Sequence, residues 1–158
     1  MARKIATTHT IDRDALLEFV RPRHRLILAT TRSDGRSQIS PVTGGLDELG
    51  RIVIATYPSR AKALNVTRDP RASVVVLSDD WVGPWVQIDG DGEVLHLPEA
   101  ENALVEYYRS IAGEHPDWDE YRVAMRLQGK SLIRITPTRW GPIATGGFPP
   151  DVAARLAT

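Results

Sequence analysis

Cysteine is absent from the 158-residue chain. Disulfides, thiolate metal sites, iron–sulfur clusters and a cysteine nucleophile are therefore excluded, and a reducing cytoplasm is a compatible location. Net charge is absent as well, because 20 Lys and Arg balance 20 Asp and Glu. A general nucleic-acid binder normally carries a basic excess, so no nucleic-acid partner is expected; a local basic pocket for one phosphorylated ligand stays open. No apolar run approaches the ~20 residues of a spanning helix, so no membrane partner is expected. Met1 to Thr10 carries Arg3, Lys4 and His9 but no apolar segment, which argues against a secretory signal.

Familiar catalytic signatures are missing too. There is no Gly-x-Gly-x-x-Gly or Walker-type loop. His9, His24, His96 and His115 show no ligand spacing, and no metal is expected. Glu93, Glu99, Glu101 and Glu106 read as solvated, which leaves a paired-carboxylate hydrolase with little support.

What is present has a clear texture. The length suits one domain able to bury a core without staples. Ile11 to Val20 predicts a helix with Asp12 as N-cap and Leu16, Leu17 and Val20 on one stripe. Strands follow at Arg25–Thr31 and Ser37–Thr43, reversed at Ser33-Asp34-Gly35, and then at Arg51–Tyr57. Ser59 to Asp69 predicts a short helix closed by Pro70. Ala72–Ser78 and Trp85–Leu97 predict strands, the second interrupted at Gly90-Asp91-Gly92 as at a bulge. Helices are expected at Pro98–Ala112 and Asp117–Leu127, then closing strands at Lys130–Thr136 and Arg139–Ala144. Asp151 would cap a last helical turn. Six or seven short strands with flanking helices point to an α+β chain with an antiparallel closed sheet, not a doubly wound one. The core is expected over about 12–145, with a C-terminal tail at 146–158.

Three segments could carry chemistry. In Tyr57-Pro-Ser59-Arg60-Ala61-Lys62-Ala-Leu-Asn65 a strand runs into a helix N-terminus, which favours an anion, and two cations sit there. Residues two apart on a regular helix diverge, so both reach one phosphate only if the first turn is still opening. The bare pattern equally fits a capped surface helix with two solvated cations. In Gln38-Ile39-Ser40-Pro41-Val42, alternation puts Gln38, Ser40 and Val42 on one face, and Pro41 marks an edge or bulge. An open edge can hydrogen-bond a flat heterocycle, but the pattern alone favours an ordinary half-buried strand. Trp81 and Trp85, around Gly83-Pro84, could line a planar ligand or a subunit contact; core anchors are the commoner case. Asp117 reads as an N-cap and His115 as structural.

Taken in order, these residues resemble a known family. Leu28-Ala-Thr-Thr, Asp34-Gly35-Arg36, Gln38 to Val42, Ser59 to Asn65, Arg68 to Ser73, and Tyr108-Arg109 with Gly113 to Tyr121 follow the pattern of the pyridoxamine-phosphate-oxidase-like FMN-binding split β-barrel superfamily. The likeness spans roughly Leu26 to Pro137. Within that superfamily the chain resembles the actinobacterial branch that binds the deazaflavin coenzyme F420. The resemblance implies a homodimer with cofactor at the interface and hydride transfer to an unsaturated small-molecule acceptor. It implies that Arg60 and Lys62 grip the cofactor phosphate, with Ser59 and Ala61 beside them. Gln38, Ile39, Ser40, Pro41 and Val42 would lie along the rings, flanked by Thr56 and Tyr57. Trp81 and Trp85 would come from the partner subunit. The proton source stays open between solvent, Tyr57 and Ser40. An FMN-dependent oxidase or reductase of this fold, and a non-catalytic cofactor or haem binder, are the alternatives. The tail from Arg139 to Pro150 is longer than in short members and could cover the substrate side.

Overall fold

A computed structural model describes residues 4–157. In chain order the elements are β1 (Thr7–His9), α1 (Arg13–Val20), β2 (Arg25–Thr31), β3 (Ser37–Thr43), β4 (Gly45–Leu46), β5 (Ile52–Thr56) and α2 (Ala61–Arg68). Then come β6 (Arg71–Val76), β7 (Val86–Leu95), α3 (Glu101–Ala112), α4 (Trp118–Gln128), β8 (Ser131–Trp140), β9 (Ile143–Thr145) and α5 (Pro150–Arg155). Seven strands form one antiparallel sheet in the order β3-β2-β6-β7-β8-β5-β4. Its two edges, β3 and β4, are consecutive in the chain and separated only by Gly44. A sheet whose opposite edges are one continuous segment must curl until those edges meet. The result is a split β-barrel, the closed sheet that the strand count predicts and the architecture that the resemblance implies. His24 Nδ1 donates to the Gly44 carbonyl at 2.9 Å and fastens this corner.

Alternation fills the barrel. Leu26 and Leu28 of β2, Val74 and Val76 of β6, Val86 and Ile88 of β7 and Ile133 and Ile135 of β8 are buried inside, with Leu16 and Val20 of α1 packed in the same cluster. Asp12 caps α1 as expected, its carboxylate accepting from the Ala15 N–H at 2.9 Å. The unbroken run Ile52-Val53-Ile54 is buried on both faces of β5: Ile52 and Ile54 face the barrel, whereas Val53 meets Leu104, Val105 and Tyr121 of the α3–α4 pair.

Several boundaries differ from the sequence reading, each for a local reason. The first expected closing strand runs on to Trp140 as the ten-residue β8, and the second, Arg139–Ala144, is divided between the end of β8 and β9. A bulge lets β8 continue past Pro137: Gly90 pairs with Pro137 and Asp89 with Arg139, so Thr138 is the extra residue. Gly90 is required there, because a Cβ would sit 2.3 Å from the Thr136 carbonyl oxygen. Helix α3 begins at Glu101, with Pro98 in the preceding turn. Glu101 is not solvated; Arg122 and Arg126 of α4 each approach it to 3.2 Å. Pro149, not Asp151, precedes α5, and Asp151 pairs with Arg155 at 2.7 Å. Strand β1 and its pairing with β9 have no counterpart in the sequence reading. Among the described residues no helix is long and apolar enough to cross a membrane.

Candidate functional site

Strand β3 is a sheet edge, which suits a proline that cannot donate to a ladder. Gln38, Ser40 and Val42 share its half-buried face, while Ile39 (61% exposed) and Pro41 point outward. β3 also approaches β5 across the seam of the barrel. Ser40 Oγ is buried there and, among the described residues, is the buried side-chain polar atom with no hydrogen-bond partner. Such an atom is costly unless something else satisfies it.

On the far side of the seam β5 ends at Thr56, which is buried, and Tyr57 to Arg60 make a turn closed by the Arg60 N–H on the Tyr57 carbonyl at 3.1 Å. The helix starts at Ala61, two residues later than Ser59. Arg60 is its N-cap residue in extended backbone (φ −71°, ψ 145°), and no side chain caps the helix. The first turn is therefore open, which is the condition for Arg60 and Lys62 to turn toward a common anion. Neither has a carboxylate partner among the described residues. Ser59 is exposed and does not cap.

Packing fixes α2 against β2 and β7. The buried Asn65 donates through Nδ2 to Thr30 Oγ1 at 3.0 Å, and Thr30 lies 3.5 Å from Gln38 Oε1. Arg68 donates to Asn65 Oδ1 at 2.9 Å and to the Thr31 carbonyl at 2.6 Å. One polar chain thus links α2, β2 and β3.

A residue that sequence reasoning missed joins this group. Thr56 pairs with Ser131, so the residues beyond them, Tyr57 and Lys130, come together. Lys130 Nζ lies 4.1 Å from the Tyr57 ring centroid, and Arg60 Cζ lies 6.0 Å from it. Only the β5–β8 register brings Lys130 here; no spacing in the sequence signals it.

Trp81 and Trp85 are elsewhere in this chain. They line a groove of about 710 Å³ with Val75, Leu77, Gln87 and Gly146–Gly147, on the outer face of β6 and β7. Trp81 is 84% exposed, so it is not a core anchor. The Gly-Gly tail does run beside this tryptophan pair. His115 Nδ1 accepts from the Asp117 N–H at 2.9 Å and its ring packs against Tyr108, Trp118 and Tyr121, in keeping with a structural role. Burial pushes the Tyr121 hydroxyl up to about 12, with Tyr107 and Tyr108 adding to the shift. Among the described residues no cluster of three His, Asp or Glu could hold a metal ion.

The family model described as pyridoxamine 5'-phosphate oxidase matches residues 13–144. The chain belongs to the pyridoxamine 5'-phosphate oxidase family. Solved structures with this fold include a conserved hypothetical protein, Rv2991, from Mycobacterium tuberculosis, at 23% identity and TM-score 0.71, covering 89% of each chain. An F420 reductase matches at 19% identity and TM-score 0.58, over 78% of this chain and 94% of that one. A haem-binding protein from Mycobacterium smegmatis matches at 19% and TM-score 0.60, over 83% of this chain and 53% of that one. At these identities the likenesses carry the fold alone. The β3 edge and the β5–α2 junction are thus features of a pyridoxamine 5'-phosphate oxidase-type split barrel.

Proposed function

We propose that this chain is an oxidoreductase that binds coenzyme F420 and passes a hydride from its reduced ring to an unsaturated small-molecule acceptor. The observation that carries the reading is the β5–α2 junction, where Arg60 and Lys62 stand without carboxylate partners at an uncapped helix N-terminus. It faces, across the seam, an edge strand holding the orphaned Ser40 hydroxyl. These features fit a flat heterocycle with a phosphate on its side chain. An F420 reductase is among the solved structures that share this fold, and the deazaflavin reading draws on that likeness.

In this reading Arg60 and Lys62 hold the phosphate, aided by the free N–H groups at the start of α2, with Ser59 and Ala61 beside them. Gln38, Ile39, Ser40, Pro41 and Val42 lie along the rings, and Ser40 Oγ finds there the partner it lacks. Thr56 and Tyr57 flank the rings. When bound, the reduced cofactor supplies the hydride, so the protein needs no nucleophile; its task is to position and to exclude water. Two copies pair through the outer face of the sheet, and Trp81 and Trp85 of one copy cover the ring held by the other. The exposure of Trp81 (84%), Ile39 (61%) and Val82 (56%) supports such a contact.

Fluorescence titration with F420 and, separately, FMN tests the reading. F420 is expected to bind tightly and FMN weakly, and the double variant Arg60→Ala/Lys62→Ala should lose affinity steeply while staying folded. Each charge-assisted contact is worth about 1.5–3 kcal/mol. FMN preference would replace the deazaflavin, and unchanged affinity in the folded double variant would remove the anchor.

A further inference from the structure

Lys130 is placed by three local features. Gly129 ends α4 in left-handed backbone (φ 62°), the conformation glycine adopts without penalty. Its N–H reaches the Arg126 carbonyl and that of Lys130 the Met125 carbonyl, both at 3.2 Å, which closes the helix and sets the chain's exit. β8 then begins at Ser131, opposite Thr56, and Lys130 falls beside Tyr57 with its ammonium 4.1 Å from the ring centroid. The Arg60 guanidinium shares that ring at 6.0 Å, and Lys62 follows two residues on. None of these three cations has a carboxylate partner among the described residues, whereas nine other arginines do. Like charges gathered about one ring repel, and the aromatic face offsets this only in part.

We propose that Lys130 is a third anchor for the anionic group of the bound ligand and that Tyr57 is the positioning residue that holds it ready. The inference rests on the reading of the β5–α2 junction as a phosphate site. A phosphate group offers two peripheral oxygens and one negative charge as a diester, or three and about two as a monoester. Arg60 and Lys62 approach from α2; Lys130 approaches from the start of β8 and supplies up to three further donors. The ring fixes the direction of a side chain that would otherwise sample many rotamers.

The test compares affinities of the full chain for FMN against riboflavin, and for F420 against its phosphate-free chromophore, by fluorescence titration. Lys130→Ala is expected to lower the preference for the phosphorylated form about tenfold and to leave the phosphate-free form unchanged. Lys130→Arg should restore most of it. Tyr57→Phe should keep the preference for the phosphorylated form, and Tyr57→Leu should lower that preference as Lys130→Ala does. Lys130→Met serves if the alanine variant does not fold. If Arg60→Ala/Lys62→Ala abolishes the preference while Lys130→Ala and Lys130→Met leave it within about twofold, Lys130 is no anchor and the phosphate reading stands. Equal weakening of both forms by the Lys130 variants would also overturn the proposal. If no variant changes the preference, or if none of the four compounds binds, both readings fall.

Discussion

The polar chain through Asn65 should be a measurable part of this protein's stability. Asn65 and Thr30 are 6% and 3% exposed, so water cannot replace what a substitution removes. Asn65→Ala deletes the 3.0 Å bond to Thr30 and leaves its hydroxyl only the long 3.5 Å approach to Gln38. A buried hydroxyl without a good partner costs about 1–3 kcal/mol. Arg68 loses its 2.9 Å bond but keeps the Thr31 carbonyl, so it adds little. The expected loss is about 2 kcal/mol, or roughly 4–8 °C in Tm for a domain of this size. Thr30→Val makes the converse fault by leaving the Asn65 amide unpaired. The double variant leaves neither group orphaned, so its loss should be smaller than the sum of the singles by about 1 kcal/mol. Urea denaturation followed by far-UV circular dichroism measures all three. Strict additivity, or an Asn65→Ala loss below about 0.5 kcal/mol, would refute the reasoning, because the pair would then not be coupled.

Two further outcomes are expected. Trp81→Ala should weaken self-association by two orders of magnitude or more in sedimentation velocity, since covering one indole is worth roughly 3–4 kcal/mol; an unchanged sedimentation coefficient across dilution would place any dimer contact elsewhere. Tyr121 should titrate late. Its folded value, raised to about 12 chiefly by burial, exceeds the ordinary tyrosine value of 10.0 expected when unfolded. The stability this neutral hydroxyl contributes is therefore complete below about pH 10 and lost as pH rises toward 12. Tyr121→Phe should flatten that part of the alkaline unfolding curve and remove one late tyrosine from the 295 nm titration. It should also cost about 1 kcal/mol at neutral pH, because the 2.7 Å bond to the Leu104 carbonyl is lost. A curve identical to wild type between pH 10 and 12 would contradict the assignment.

The sequence by itself determined the local elements, because their signals are local. Asp12 and Asp117 cap the helices they precede, and Gly35 turns the β2–β3 hairpin with φ 86°. Pro41 marks an edge or bulged strand, whereas the unbroken run Val74-Val75-Val76-Leu77 shows no alternation, and only the fold turns Val74 and Val76 into the barrel and Val75 and Leu77 to the outer groove. The ordered motifs from Leu28 to Tyr121 identify the family. The start of α2 was misplaced by two residues, since Ser59 looks like a cap and only the turn onto the Tyr57 carbonyl shows that Arg60 holds that position. What tertiary structure alone decided is which distant residues meet. Strand register sets Lys130 beside Tyr57, 73 positions away by number, and no periodicity encodes that pairing. The bulge at Gly90 lets β8 run through Pro137, which the sequence reads as a break. The exposure of Trp81, and its separation in one chain from Arg60 and Lys62, follows from the curl of the sheet. Side-chain chemistry writes short-range preferences into the chain; the juxtapositions that make a site come from how the curled sheet brings its edges together.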